Sequence, residues 1–213
     1  MPSSDINNIA PILAVLQNCQ PTSVLDLGCG FGKYGYLARE YLDVQSGRLA
    51  RNQWKTRIVG VEAFAPYANP VWDFVYDKVY TARAEEALPT LGYFDVILMV
   101  DIIEHLETEP AESLVAQALK QCRTLIVSTP AQFMPQADLN GNEWERHHIV
   151  FTRANFPKRA HVAKLPCTVC NVFIASSQSI KGAIIPGRLY WKGLSLMGKI
   201  AWPLSRALGR GEI

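Results

Sequence analysis

The stretch VLDLGCGFGKYG, residues 24–35, decides the reading of this chain. Apolar residues frame Asp26, and glycines then stand at positions 28, 30, 32 and 35. The order is a short apolar strand, a Gly-x-Gly-x-Gly turn and the start of a helix. Gly28 permits the tight turn, while Gly30 and Gly32 let a ligand approach the backbone because no Cβ stands in the way. The following helix offers free N–H groups at its N-terminus. Taken alone, the motif also reads as a plain strand–helix turn, so its surroundings must decide.

Working outward, apolar strands alternate with amphipathic helices. An N-terminal helix is expected over Ser4–Gln17, capped by Ser4 and broken by Pro11. Strands are expected at Ser23–Leu27, Arg57–Val61, Lys78–Thr81, Phe94–Val100 and Arg123–Ser128, and helices at Phe31–Leu42, Tyr67–Val75 and 109–121. The uninterrupted apolar run of Phe94–Val100 is that of a strand buried on both faces of a parallel sheet. The alternation as a whole predicts a parallel α/β sheet. Residues 131–148 form a long loop rich in Gln, Asn, Gly, Trp and His, and His161–Leu165 with Val169–Ser176 read as a terminal hairpin.

Three features sharpen the glycine turn. Glu62 closes the second strand in IVGVEAF, where a carboxylate suits the two hydroxyls of a ribose. The segment ARAEEALP (82–89) follows the third strand. FDVILMVDIIEHL (94–106) sets Asp101, Glu104 and His105 just past the fourth strand, where sites form in open α/β sheets. A nicotinamide-binding fold would call for Gly-x-Gly-x-x-Gly, and here the third glycine comes one residue early.

With Asp26-x-Gly28-x-Gly30-x-Gly32, Glu62, 82–89 and 94–106 in order, the chain resembles a class I S-adenosylmethionine-dependent methyltransferase over about residues 20–130. The resemblance implies a Rossmann-like α/β fold: a mostly parallel seven-stranded sheet flanked by helices, with one antiparallel strand near the end. It implies S-adenosylmethionine as cofactor and S-adenosylhomocysteine as product. The loop from Asp26 through Gly28, Gly30 and Gly32 would take the amino-acid end of the cofactor, and Glu62, next to Ala63, the ribose. Ala84 and Glu85 would lie by the adenine, and Val100 and Asp101 beneath the sulfonium. One departure concerns the adenine: the family's frequent Gly-Asp-Ala reads Ala82-Arg83-Ala84, leaving Glu85 or a backbone carbonyl to replace the aspartate.

Methyl transfer asks for positioning and often one general base. His105, His147 and His148 are the candidates, with a pocket-wall or structural role as the alternative for each; no metal site is expected. The loop STPAQFMPQADLNGNEWERHHIVFT (128–152) resembles, more loosely, one in bacterial methyltransferases of surface-glycan synthesis. It implies a glycan, lipid-linked or small-molecule hydroxyl as acceptor. A cofactor-binding partner or scaffold without catalysis is the alternative. Nucleic acid is disfavoured, because VDII stands where base methylation often uses Asn/Asp-Pro-Pro-Tyr.

Composition sets the frame. The chain has 213 residues, 49% hydrophobic and 19% charged, which suits one globular domain. Five scattered cysteines, no basic leader and no apolar run of about 18 residues suggest a cytoplasmic protein. Cys167 and Cys170 lack the partners of a zinc site and read as buried structural residues. Net charge is +2, but residues 1–145 carry −8 and 146–213 carry +10. The division predicts a methyltransferase domain over 1–178 and a basic amphipathic tail over 179–213. At about 100° per residue, Arg188, Lys192, Lys199, Arg206 and Arg210 fall on one strip opposite an apolar, aromatic face. Such a helix fits peripheral contact with an anionic membrane, or packing on the domain or in a homodimer.

Overall fold

A computed structural model of the chain describes residues 4–139 and 141–178. The basic tail expected over 179–213, with its membrane or dimer contacts, lies outside the described residues. Among the described residues no helix is long and apolar enough to cross a membrane.

Seven strands form one sheet: β1 (Ser23–Leu27), β2 (Arg57–Glu62), β3 (Lys78–Thr81), β4 (Phe94–Val100), β5 (Cys122–Pro130), β6 (His161–Leu165) and β7 (Cys170–Ser176). Their order is β3-β2-β1-β4-β5-β7-β6. β1 to β5 pair in parallel, while β7 runs antiparallel to both β5 and β6. This is the mostly parallel α/β sheet expected. The order reverses between β1 and β4, which opens a crevice at their carboxyl ends.

Alternation along the strands loads both faces. Leu25, Leu27, Ile97, Met99 and Leu125 pack with α4 (Ala84–Ala87) and α5 (Thr108–Ala118). Val24, Ile58, Val96, Leu98 and Ile126 face α1 (Ile9–Cys19) and α2 (Lys33–Leu42). β4 is buried along both faces, which accounts for its unbroken apolar run.

Two details differ from the sequence expectation. The N-terminal helix begins later: Asp5, not Ser4, caps a 3-10 turn at Ile6–Asn8, and α1 follows. Pro11 does not break α1, because it sits in the first turn, where a backbone N–H has no helical partner to lose. The basic loop 43–57 is pinned from inside. Buried Arg39 pairs with Asp43 at 2.6 Å and donates to the Thr56 carbonyl at 2.7 Å. α3 (Pro70–Val75) then leads into Tyr76, whose ring lies under α2 at Gly35. All five cysteines are free thiols.

Candidate functional site

A cavity of about 1000 Å³ opens at the carboxyl ends of the central strands. Its floor is the glycine turn. Gly28 and Cys29 both donate to the Val61 carbonyl, at 2.8 and 3.0 Å, which draws the turn against the end of β2. Gly30 has φ +51°, and a Cβ added there would meet nothing within 4 Å. The backbone at Gly30 is therefore bare toward the cavity, and only glycine adopts that conformation without strain. Gly32, with φ 92°, starts α2.

Glu62 stands beside this turn, 7% exposed. One carboxylate oxygen accepts the Gly30 N–H at 2.9 Å and the other the Phe64 N–H at 2.9 Å. Burial pushes its pKa up, and these backbone donors oppose that. An ionised carboxylate has about four acceptor positions, so about two remain for a ligand's hydroxyls. Glu62 and its neighbour Ala63 both line the cavity.

Asp26 behaves otherwise. It lies below the turn, 2% exposed, and accepts a 2.6 Å hydrogen bond from Tyr76 Oη. It is not among the cavity-lining residues, whereas Gly28, Gly30 and Gly32 of the same turn are. Burial raises its pKa to about 7. Its place is structural: it ties the strand bearing the glycine turn to Tyr76.

The opposite walls come from β4 and the long loop. Val100 and Asp101 line the cavity at the end of β4. Asp101 adopts φ 51°, a left-handed conformation uncommon outside glycine. Ser128 Oγ (2.8 Å) and Asn8 Nδ2 (3.2 Å) hold its carboxylate. Asn8, from the N-terminal turn, is fully buried and also bonds Ser128 and Tyr34. Ala84 and Glu85 line the cavity at the start of α4. Arg83 binds Glu85 at 2.6 Å and stacks over the Trp144 ring at 4.7 Å. The residue replacing the family's aspartate thus joins α4 to the loop, while Glu85 keeps acceptor positions toward the cavity.

The loop 131–148 is organised by Glu145, which is buried and accepts from Tyr67 Oη at 2.9 Å. Gln136 donates to the Glu145 carbonyl at 2.6 Å. The three histidines separate. His105 and His147 line the cavity with ring centroids 4.8 Å apart. His148 does not line it; its Nδ1 is 2.9 Å from Glu107 Oε1 on the outer side. Burial lowers the pKa of His105.

Tyr67, Asn8, Asn142 and Glu145 were not singled out from sequence. Only the length and polarity of the 131–148 loop signalled that part of the wall. Glu104 is 1% exposed, and burial raises its pKa well above the usual range. Among the described residues, no ion pair reaches Asp101, Glu104 or Glu145. Burial also raises the pKa of Asp101, which Lys33 faces, and Lys33 and Arg83 line the cavity with these acids, so its wall carries groups of both signs. With the bare Gly30 backbone and the free acceptor positions of Glu62, these residues fit S-adenosylmethionine.

A family model described as a methyltransferase domain matches residues 6–168. No curated protein matches the chain in sequence. Solved structures share the fold. Monomeric WbdD gives a TM-score of 0.57 at 15% identity, over 82% of this chain and 42% of that one. An O-methyltransferase family protein from Burkholderia thailandensis gives 0.54 at 12%, over 80% and 56%. The N-terminal domain of EvdMO1, with SAH bound, gives 0.52 at 19%, over 81% and 82%. The chain spans about half the length of the first two.

Proposed function

The chain belongs to the methyltransferase-domain family, and from that premise we propose that it transfers a methyl group from S-adenosylmethionine to an oxygen of a small, glycan or lipid-linked acceptor. The observation that carries the reading is Glu62, a carboxylate fixed by two backbone N–H groups with acceptor positions left over beside a bare Gly30. When bound, S-adenosylmethionine supplies a methyl group on a positively charged sulfur, ready to leave as a neutral thioether.

What remains for the protein is placement. Glu62 orients the ribose, and Ala84 with Glu85 bounds the adenine. Asp101, held by Ser128 and Asn8, sets the depth of the cavity. His105 and His147 form the wall farther along and hold the acceptor hydroxyl. Each ring has its Nδ1 against a backbone carbonyl, Arg146 at 3.2 Å and Met134 at 2.7 Å respectively. A carbonyl only accepts, so each Nδ1 carries the hydrogen and each Nε2 keeps its lone pair. An oxygen acceptor is supported by the Burkholderia relative's description as an O-methyltransferase family protein, and the glycan or lipid class by the loop pattern of 128–152.

Titration calorimetry of the full chain with S-adenosylmethionine and S-adenosylhomocysteine tests the donor. Binding at one site per chain is expected, and absence of heat with both would overturn the reading. Transfer of labelled methyl to a panel of hydroxylated acceptors tests the reaction. Cofactor binding without transfer to any of them would favour the scaffold reading.

A further inference from the structure

Glu104 poses a problem of its own. It is 1% exposed, and its Oε2 has no hydrogen-bond partner. A buried carboxylate left this way is costly unless a proton or a cation compensates it. No lysine or arginine among the described residues pairs with it. Beside it are the two histidines. One ligating atom from each of Glu104, His105 and His147 lies within 4.8 Å of the other two.

The geometry points to a site for a divalent transition cation at Glu104, His105 and His147, in the wall of the same cavity. Three observations converge on it. The unpartnered oxygen of Glu104 becomes an anionic ligand once a cation displaces its proton. Both histidines are fixed through Nδ1 by backbone carbonyls, the arrangement that outer-shell carbonyls give metal-bound imidazoles. The set also leaves coordination positions open, since only three protein ligands converge.

The donor chemistry selects the ion. Two imidazoles and one carboxylate suit Zn²⁺, Mn²⁺, Co²⁺ or Fe²⁺. Mg²⁺ and Ca²⁺, which want oxygen ligands, fit it poorly. The sequence shows no metal pattern here because His147 reaches the site only through the fold of the 131–148 loop. The site's existence stands on this geometry alone. Its role rests on the methyltransferase reading: the open positions would hold the acceptor's oxygen next to the methyl donor, so that the histidines' contact with the acceptor runs through the cation.

The test is equilibrium dialysis of the untagged full chain against Zn²⁺, Mn²⁺ and Co²⁺ separately, with metal measured by elemental analysis. We expect one ion per chain for at least one of them. Glu104→Gln and His147→Ala should each weaken binding by about 100-fold or more, since outer-shell partners alone are worth roughly 10- to 100-fold. His148→Ala should bind as the wild type does. Binding of S-adenosylhomocysteine is measured on every variant and should persist, which separates loss of the metal from loss of the fold or of the cofactor site. Should Glu104→Gln fail to fold, His147→Ala carries the test. Wild-type protein that takes up none of the three ions overturns the proposal, as do variants that bind like it. Equal competition by Mg²⁺ would also overturn it, because the site would then not be an imidazole site. Metal uptake without any cofactor binding would refute the methyltransferase role and leave the metal site standing.

Discussion

Replacing Glu62 by glutamine, the mildest change available, should be almost as harmful as replacing it by alanine. In the wild type both carboxylate oxygens receive backbone N–H groups, from Gly30 and from Phe64, each at 2.9 Å. Glutamine offers one oxygen and one NH₂ group. Whichever way the amide is turned, its NH₂ faces a backbone N–H, donor against donor. One buried donor is left unpaired, at a cost of about 1–3 kcal/mol. The cost falls on the two segments that frame the ribose position, and the charge offered to the ribose is lost as well. That penalty falls on stability; the affinity loss comes from the ribose hydroxyls, which lose hydrogen bonds to a charged acceptor worth about 1.5–3 kcal/mol, so S-adenosylhomocysteine should bind roughly 10- to 100-fold more weakly at about 1.4 kcal/mol per factor of ten. The melting temperature should fall by several degrees, at about 2–4 °C per kcal/mol for a domain of this size. Calorimetry with S-adenosylhomocysteine and thermal unfolding measure the two effects. A Glu62→Gln protein that melts at the wild-type temperature would refute the donor-against-donor reasoning, and one that binds within about threefold of wild type would refute the ribose role of the charge.

Two further outcomes follow from the floor of the site. Gly35→Ala should lower the melting temperature by about 2–12 °C, because the added methyl overlaps the buried Tyr76 ring and overpacking costs about 1–3 kcal/mol; unchanged thermal unfolding would contradict this. Asp26, whose pKa burial raises from 3.8 to about 7, keeps its proton in the folded state after the unfolded chain has lost it. Stability should therefore fall as the pH rises from about 4 to about 7, by on the order of 4 kcal/mol in total, and level off above. Urea unfolding across that window should show the slope in wild type and a flatter profile in Asp26→Asn; equal slopes would remove Asp26 as the cause.

Where a residue's position is fixed by one strand and the turn after it, the sequence is readable. Gly30 and Glu62 belong to that class, since a parallel sheet puts the ends of β1 and β2 side by side. Asp26 sits differently. Strand alternation puts it on the face of Val24, toward α2 and Tyr76, while the motif alone groups it with the glycines above. The two adjacent histidines are a second case. The N–H of His147 goes to the Gln136 carbonyl and that of His148 to Glu104, so the backbone is held from two sides and the rings diverge. No local pattern reveals this, because Gln136 and Glu104 come from separate segments. Asn8 was hidden for the same reason: its partners Asp101 and Ser128 lie about a hundred residues away, and only the sheet brings them to the N-terminal turn.

The reversed direction of β7 decides how this molecule can be oriented by anything that holds its C-terminal side. Cys170, where β7 begins, lines the cavity, whereas Ser176, where it ends, donates to the Arg123 carbonyl at the other end of the sheet. The seven residues between them span on the order of 20 Å. Gln178, whose N–H donates to Ser176 Oγ, therefore lies at the back of the domain, at the end of the sheet away from the cavity. A label or tether joined at that residue meets the domain on the side the cavity does not open to.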